Sequence, residues 1–176
     1  SNLYGQYSGL FLAQEYSKEI SLYKAKAFIV DEIIGKSTSP IKFEVDPLCA
    51  AFSGHLTTLI FQCKEKNMEG LILGFYGDRV TSAGLIYKEY GFKYLPKTEA
   101  SALLNEIKNG ISQYEKFLKE DSDNNNIYFQ SEDVSFILYN EAYTATIRVL
   151  WSGFDAEWSQ TEFEKTMNKF NKGLAK

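Results

Sequence analysis

The sequence predicts an α+β fold: a curved antiparallel sheet of about seven or eight strands in a meander, with two amphipathic helices packed on one face. Three observations predict it. The first half of the chain reads as short strands separated by turn residues. Apolar residues then recur at helical spacing over residues 98–118 and again over 159–174. Between the two helical patterns lies a hairpin of strict alternation. The order is therefore strands, helix, hairpin, helix, and residues 1–176 are expected to form a single domain.

Residues 8–15 suggest a first strand. Glu19 to Val30 suggests a longer one in which Ile20, Leu22, Phe28 and Val30 share a face interrupted by Lys24 and Lys26. Ile41, Phe43 and Val45 alternate with Lys42, Glu44 and Asp46 until Pro47, which cannot donate to a ladder. With Ser53-Gly54 as the next turn, Phe52 faces His55, Ala50 faces Thr57 and Cys49 faces Thr58. Carrying that register onward mixes the two faces. One extra residue near Asp46-Pro47 repairs it, so that Val45 meets Phe61 and Phe43 meets Cys63; a β-bulge is expected there. The same register leaves Cys63 about five residues beyond Cys49, roughly 16 Å at ~3.3 Å per residue. A disulfide requires Cα atoms within about 7 Å, so two free, partly buried thiols are expected.

Leu71, Leu73 and Phe75 form the following strand, with a turn expected at Tyr76-Gly77-Asp78-Arg79. An aromatic strand from Gly84 to Leu95 closes the meander, and Pro96 ends it. Thr98 is the expected N-cap of a helix whose stripe is Leu104, Ile107, Ile111, Tyr114 and Leu118. Gly110 sits within that helix at some cost. An Asn-rich loop follows. Val134, Phe136 and Leu138 then alternate, as do Tyr143, Ala145, Ile147, Val149 and Trp151, joined around Asn140-Glu141. Ser159-Gln160-Thr161-Glu162 is a capping box, and Phe163, Met167, Phe170 and Leu174 form the inner stripe of the last helix. No internal repeat of fixed period is evident.

Composition limits function more than it defines it. A formal charge of −4 with interspersed signs provides no basic field, so no nucleic-acid partner is expected. No apolar run approaches the roughly 18 residues of a membrane-spanning helix, and no transmembrane segment is expected. The chain starts at Ser1 without Met, implying a removed signal peptide, tag or upstream segment; a signal peptide would favour a periplasmic or secreted location over a cytoplasmic one.

Chemistry-bearing patterns are sparse. His55 is the single histidine and falls beside a turn, which excludes multi-histidine metal sites and argues against a catalytic triad. Phosphate-loop, dinucleotide, nucleophile-elbow and calcium-loop spacings are all lacking, so no cofactor or metal is expected and no residue is assigned a catalytic role. Two clusters remain as candidate ligand surfaces. Tyr87, Tyr90, Phe92 and Tyr94 interleave with lysines, a pattern able to stack rings or sugars but more simply a cross-strand aromatic cluster. Asp155 and Glu157 lie between Trp151 and Trp158, as in a sugar cleft, although Trp151, Phe154 and Trp158 equally plug a strand-to-helix corner.

The function expected from these residues is non-enzymatic binding or interaction, with a small hydrophobic molecule or a peptide held in a concavity between sheet and helices. One alternative is a carboxylate-dependent hydrolase or lyase drawing on Asp31, Glu32, Glu44, Asp78, Asp155 or Glu157. The other is an immunity-like or chaperone-like protein whose acidic surface binds a basic protein partner.

Overall fold

A computed structural model describes residues 22–176 and divides the chain between Ile41 and Lys42 into two units. In the first unit, residues 22–28 are α-helical and pass into a π-helical stretch, Ile29–Ile34, which Gly35 ends at φ +76°. The expected strand over Glu19–Val30 is therefore corrected where it is described. Ala25 and Ile29 are buried four residues apart, whereas Lys24 and Lys26 are exposed. The period is thus 3.6 and not 2, and the lysines interrupt nothing. The expected strand over residues 8–15 lies outside the described residues.

In the second unit the fold is α+β, but the single curved sheet is replaced by two four-stranded antiparallel sheets. The first contains β1 (Glu44–Ala50), β2 (Leu56–Cys63), β3 (Met68–Val80) and β4 (Ile86–Pro96). Helix α1 (Lys97–Gln113) and the short α2 (Glu115–Glu120) follow it. The second sheet contains β5 (Ile127–Ser131), β6 (Val134–Glu141), β7 (Thr144–Trp151) and β8 (Phe154–Ser159), and helix α3 (Gln160–Leu174) follows. Each half is a meander leading into a helix. The expected hairpin is thus the middle of a meander, extended at both ends by tight turns. Glu132-Asp133 joins β5 to β6, and Ser152-Gly153 joins β7 to β8 with both residues at positive φ.

The β1–β2 register follows the expectation. Ala50 faces Thr57, Cys49 faces Thr58 and Val45 faces Phe61, with the register shift falling between Pro47 and Cys49. Both thiols are free and buried. The expected turn at Gly77-Asp78 is corrected, because β3 continues to Val80 and turns over residues 81–85. Ion pairs from Asp78 to Lys88 (2.7 Å) and from Arg79 to Glu89 (2.9 Å) hold the extended arm. The arm ends in exposed Val80, Leu85 and Ile86. Helix α1 starts one residue before Thr98 and has no side-chain cap, since β4 runs straight into it through Pro96.

One core unites these elements. Leu56, Ile60, Leu71, Leu73 and Phe75 of the first sheet and Phe136, Leu138, Ile147 and Val149 of the second share a continuous apolar cluster with Leu104, Ile107, Phe163 and Phe170 from the helices. Gly110 marks a close approach: a Cβ there would stand 2.9 Å from Leu138 Cδ1, so the glycine lets α1 lie against β6.

Phe154 joins the sheets. Its ring stacks on Phe75 at 5.6 Å and lies against Gly77 and Gly91, where the first sheet has no side chains. The Arg79 guanidinium stands 4.6 Å from the ring centroid and donates to the Ser152 carbonyl. On the same side, Lys93 reaches Glu132 (2.9 Å) and Asp133 (2.8 Å), and Asp133 also accepts from the Trp151 indole at 3.0 Å. Hydrogen bonds from Lys93 and Trp151 hold the Asp133 carboxyl below its ordinary value.

Two outcomes test this joint. Gly91→Ala drives a methyl group into the Phe154 ring and is expected to cost about 1–3 kcal/mol in urea denaturation; a change below about 0.5 kcal/mol would contradict the packing. Because Asp133 binds its proton less readily folded than unfolded, its contribution is complete above the unfolded value of about 3.9 and disappears as pH falls through the lowered folded value. The stability gap between the wild type and Asp133→Asn should therefore shrink between neutral pH and about pH 2.5. A pH-independent gap would remove the ion pair from the account.

Candidate functional site

The residues expected to bind a ligand do not gather at one place. Tyr90, Phe92 and Tyr94 do share a face of β4, but their rings are engaged in the sheet. Tyr90 packs on Tyr76 at 4.6 Å, Tyr94 meets Phe61 edge-on at 5.8 Å, and Phe92 lies over Gly74. The Tyr94 hydroxyl donates to the Glu69 carbonyl at 3.1 Å, and burial, then Glu99 and Glu69, push its titration upward. Tyr87 stands on the opposite face and is exposed.

The second cluster is split by the alternation of β8, which also corrects the corner reading. Trp158 and Phe154 point into the core, where Trp158 meets Phe163 edge-on at 5.3 Å. Asp155 and Glu157 point the other way, and both bind Arg148, at 2.6 Å and 3.3 Å. Trp151 belongs to the joint between the sheets. His55 is exposed in the β1–β2 loop.

A different set of residues forms a groove. It opens between the C-terminal half of α1 and the N-terminal half of α3, with Ile111, Phe163 and Met167 as its apolar lining, and measures about 270 Å³. A second compartment of about 150 Å³ shares Ile111, Ser112 and Gln160 with the first and ends at Asn140, Tyr143 and Ala145 of the β6–β7 hairpin. The capping box fixes the start of α3: Ser159 Oγ accepts from the Glu162 N–H at 3.2 Å, and the Glu162 carboxylate accepts from the Ser159 N–H at 3.0 Å. Gln160 is fixed in turn, accepting from the Ala145 N–H at 3.2 Å and donating to Glu164 at 3.0 Å. Lys119 closes the far end, paired with Glu115 at 2.6 Å and lowering that carboxyl's titration.

Asn140 is the unusual member. Its main chain pairs with Ala145 in the ladder, and it continues the inward-facing series Val134, Phe136, Leu138. Its residue surface is only 8% exposed, but its carboxamide opens on the groove, where its polar atoms keep access to solvent. A carboxamide offers two donors and an acceptor oxygen, so it presents polar groups to the groove from an otherwise apolar strand face. Beside it, Ala142 and Tyr143 make the hairpin turn with φ of +49° and +73°, a conformation that side-chain-bearing residues seldom adopt. The turn leaves Tyr143 93% exposed at the groove rim.

Sequence reasoning missed this site. Asn140 was expected in the turn, where asparagine is common. The available signal was phase, since Asn140 continues the apolar alternation while the turn itself is Ala142-Tyr143. Comparison with known proteins returns no matching family, curated sequence or solved structure. Among the described residues, no cluster of three His, Cys, Asp or Glu is placed to hold a metal, and no helix is long and apolar enough to cross a membrane.

Asn140 continues the inward-facing series of β6, and among the described residues no side-chain hydrogen bond holds it, so an apolar residue of similar size there adds buried apolar surface and breaks no bond. Asn140→Leu is expected to raise stability by about 1 kcal/mol in urea denaturation. A loss of more than about 1 kcal/mol would show that the carboxamide is already satisfied.

Proposed function

We propose that the protein is a non-enzymatic binding protein that takes a small hydrophobic molecule or a peptide in the groove between α1 and α3. The observation that carries this reading is the groove itself, about 270 Å³ with Ile111, Phe163 and Met167 as apolar lining and an adjoining compartment on which Asn140 opens. The groove supports the reading better than the space beneath the helices does, because Leu104, Ile107, Phe136 and Phe170 fill that space.

The rival readings have weaker support. For a carboxylate hydrolase, Asp155 and Glu157 share one guanidinium on an exposed sheet face, and Asp78 is tied to Lys88. A surface that binds a protein partner has one specific observation in its favour, the apolar tip of the β3–β4 arm, where Val80, Leu85 and Ile86 are 68%, 68% and 71% exposed. No concentration of unpaired acid accompanies that tip, because Asp78 and Glu89 have cationic partners.

The two methionines, Met68 and Met167, make the groove directly observable. With ¹³C-methyl methionine labelling, apolar fragments and short peptides should shift the Met167 signal and leave Met68 unmoved. At about −0.3 kcal/mol per heavy atom, a ligand of about fourteen atoms corresponds to a Kd near 1 mM. Met167 signals unmoved by every compound of a broad fragment set would sink the groove reading.

A further inference from the structure

We infer that β5 is an open sheet edge that pairs with β5 of a second copy of this chain, antiparallel and centred on Phe129, so that two four-stranded sheets join edge to edge.

The main chain of β5 sets the chemistry of its partner. β5 is an edge strand with β6 as its neighbour. The two-residue turn Glu132-Asp133 makes Ser131 and Val134 a pair that exchanges both ladder bonds, and the alternation of an antiparallel ladder gives Phe129 and Ile127 the same role. Tyr128 and Gln130 therefore aim their N–H and C=O groups away from β6. Among the described residues, no hydrogen bond from outside the sheet reaches those groups. Donors and acceptors that repeat at every second residue are matched by another extended chain.

The residues of the edge select a copy of the same strand. A two-fold axis at Phe129 sets Tyr128 opposite Gln130 of the second copy, Ile127 opposite Ser131, and Phe129 opposite its counterpart. Tyr128 and Gln130 then occupy the hydrogen-bonded positions, and Phe129 takes a non-bonded position, where Cα atoms stand ~4.5 Å apart and side chains meet closely. Phe129 already stacks on Phe136 at 5.1 Å, so pairing continues that stack into the second copy. No charge opposes the contact, because β5 reads Ile-Tyr-Phe-Gln-Ser. The other edge strands each carry a device that blocks such pairing. β1 has Glu44, Asp46 and Pro47 beside its register shift, β4 has Lys88, Glu89 and Lys93, and β8 has Asp155 and Glu157. The edge is also fixed in advance: Lys93 holds the turn at Glu132 and Asp133, and ahead of the strand Asn125 Nδ2 donates to the Phe117 carbonyl at 2.7 Å. Little conformational freedom is then lost on pairing.

The test is sedimentation velocity of the full chain at low ionic strength, from about 10 µM to about 1 mM. An edge of 5 residues is small for an interface, and a monomer–dimer equilibrium with a Kd of about 0.1 mM is expected, the Tyr128 and Gln130 amide signals moving with concentration. Tyr128→Lys combined with Gln130→Lys sets like charges opposite each other at both pairs, on side chains that are exposed in the monomer. That double variant should stay monomeric, as should Tyr128→Glu combined with Gln130→Glu. A mixture of the two double variants should associate again, because the register sets lysine opposite glutamate. A wild-type chain that remains monomeric throughout would overturn the inference. Dimers of undiminished strength in the lysine variant, or a mixture that fails to associate, would overturn it equally.

Discussion

The arrangement depends on how α3 is held across the first sheet. Glu162 uses both carboxylate oxygens: one closes the capping box on Ser159, and the other accepts from the Phe52 N–H in the β1–β2 loop at 2.6 Å. One turn further on, the Thr58 hydroxyl donates to the Cys49 carbonyl and so accepts from Thr166, at 2.7 Å in a fully buried position. Near the helix C-terminus, Gln62 donates to the Gly173 carbonyl at 3.3 Å, and the absence of a side chain at Gly173 leaves room for Ile60. The helix leaves β8 with no intervening loop. A product of the second meander is therefore pinned at three points to the first. Buried polar pairs of this kind add little net energy when satisfied and are costly when broken, so they select one docking of the helix over its neighbours.

Given that docking, the rest of the second unit follows. Two meanders, each too small to bury its own apolar face, share one core, and the Phe154 joint closes the side away from the α3 contacts with β1 and β2. The glycines at positions 77 and 91 are the counterpart of that ring. Helix α1 is drawn toward β6 at Gly110 and breaks at Tyr114, where α2 begins. With α1 and α3 each committed to a different strand set, a groove remains between their outer turns. The groove is thus a by-product of packing constraints that act on the opposite sides of both helices.

What was legible in the sequence was local. Pro47 and the switch of apolar phase around it expose the β1–β2 bulge, because both act within one hairpin. Ser159 and Glu162 declare the start of α3 for the same reason. Pairing between distant strands leaves no such mark, so eight strands in two sheets and seven or eight in one look alike. Trp151 to Trp158 read as a corner because its aromatic residues masked a Ser-Gly turn between alternating stretches, and Glu19 to Val30 read as a strand because two lysines fitted a broken alternation. The groove was not legible, since five elements, α1, α2, β6, β7 and α3, contribute to it. Only the phase of Asn140 hinted at a polar group on an apolar face.

Helix α3, pinned to the first sheet through Glu162, Thr166 and Gly173, makes the two meanders one cooperative body, and native-state hydrogen exchange tests this most directly. The slowest amides of β2, such as those near Ile60, and of β7, such as those near Ile147, should exchange with the same free energy and the same dependence on denaturant, both matching global unfolding. Exchange of one sheet through a lower-energy opening, with the other still protected, would contradict it.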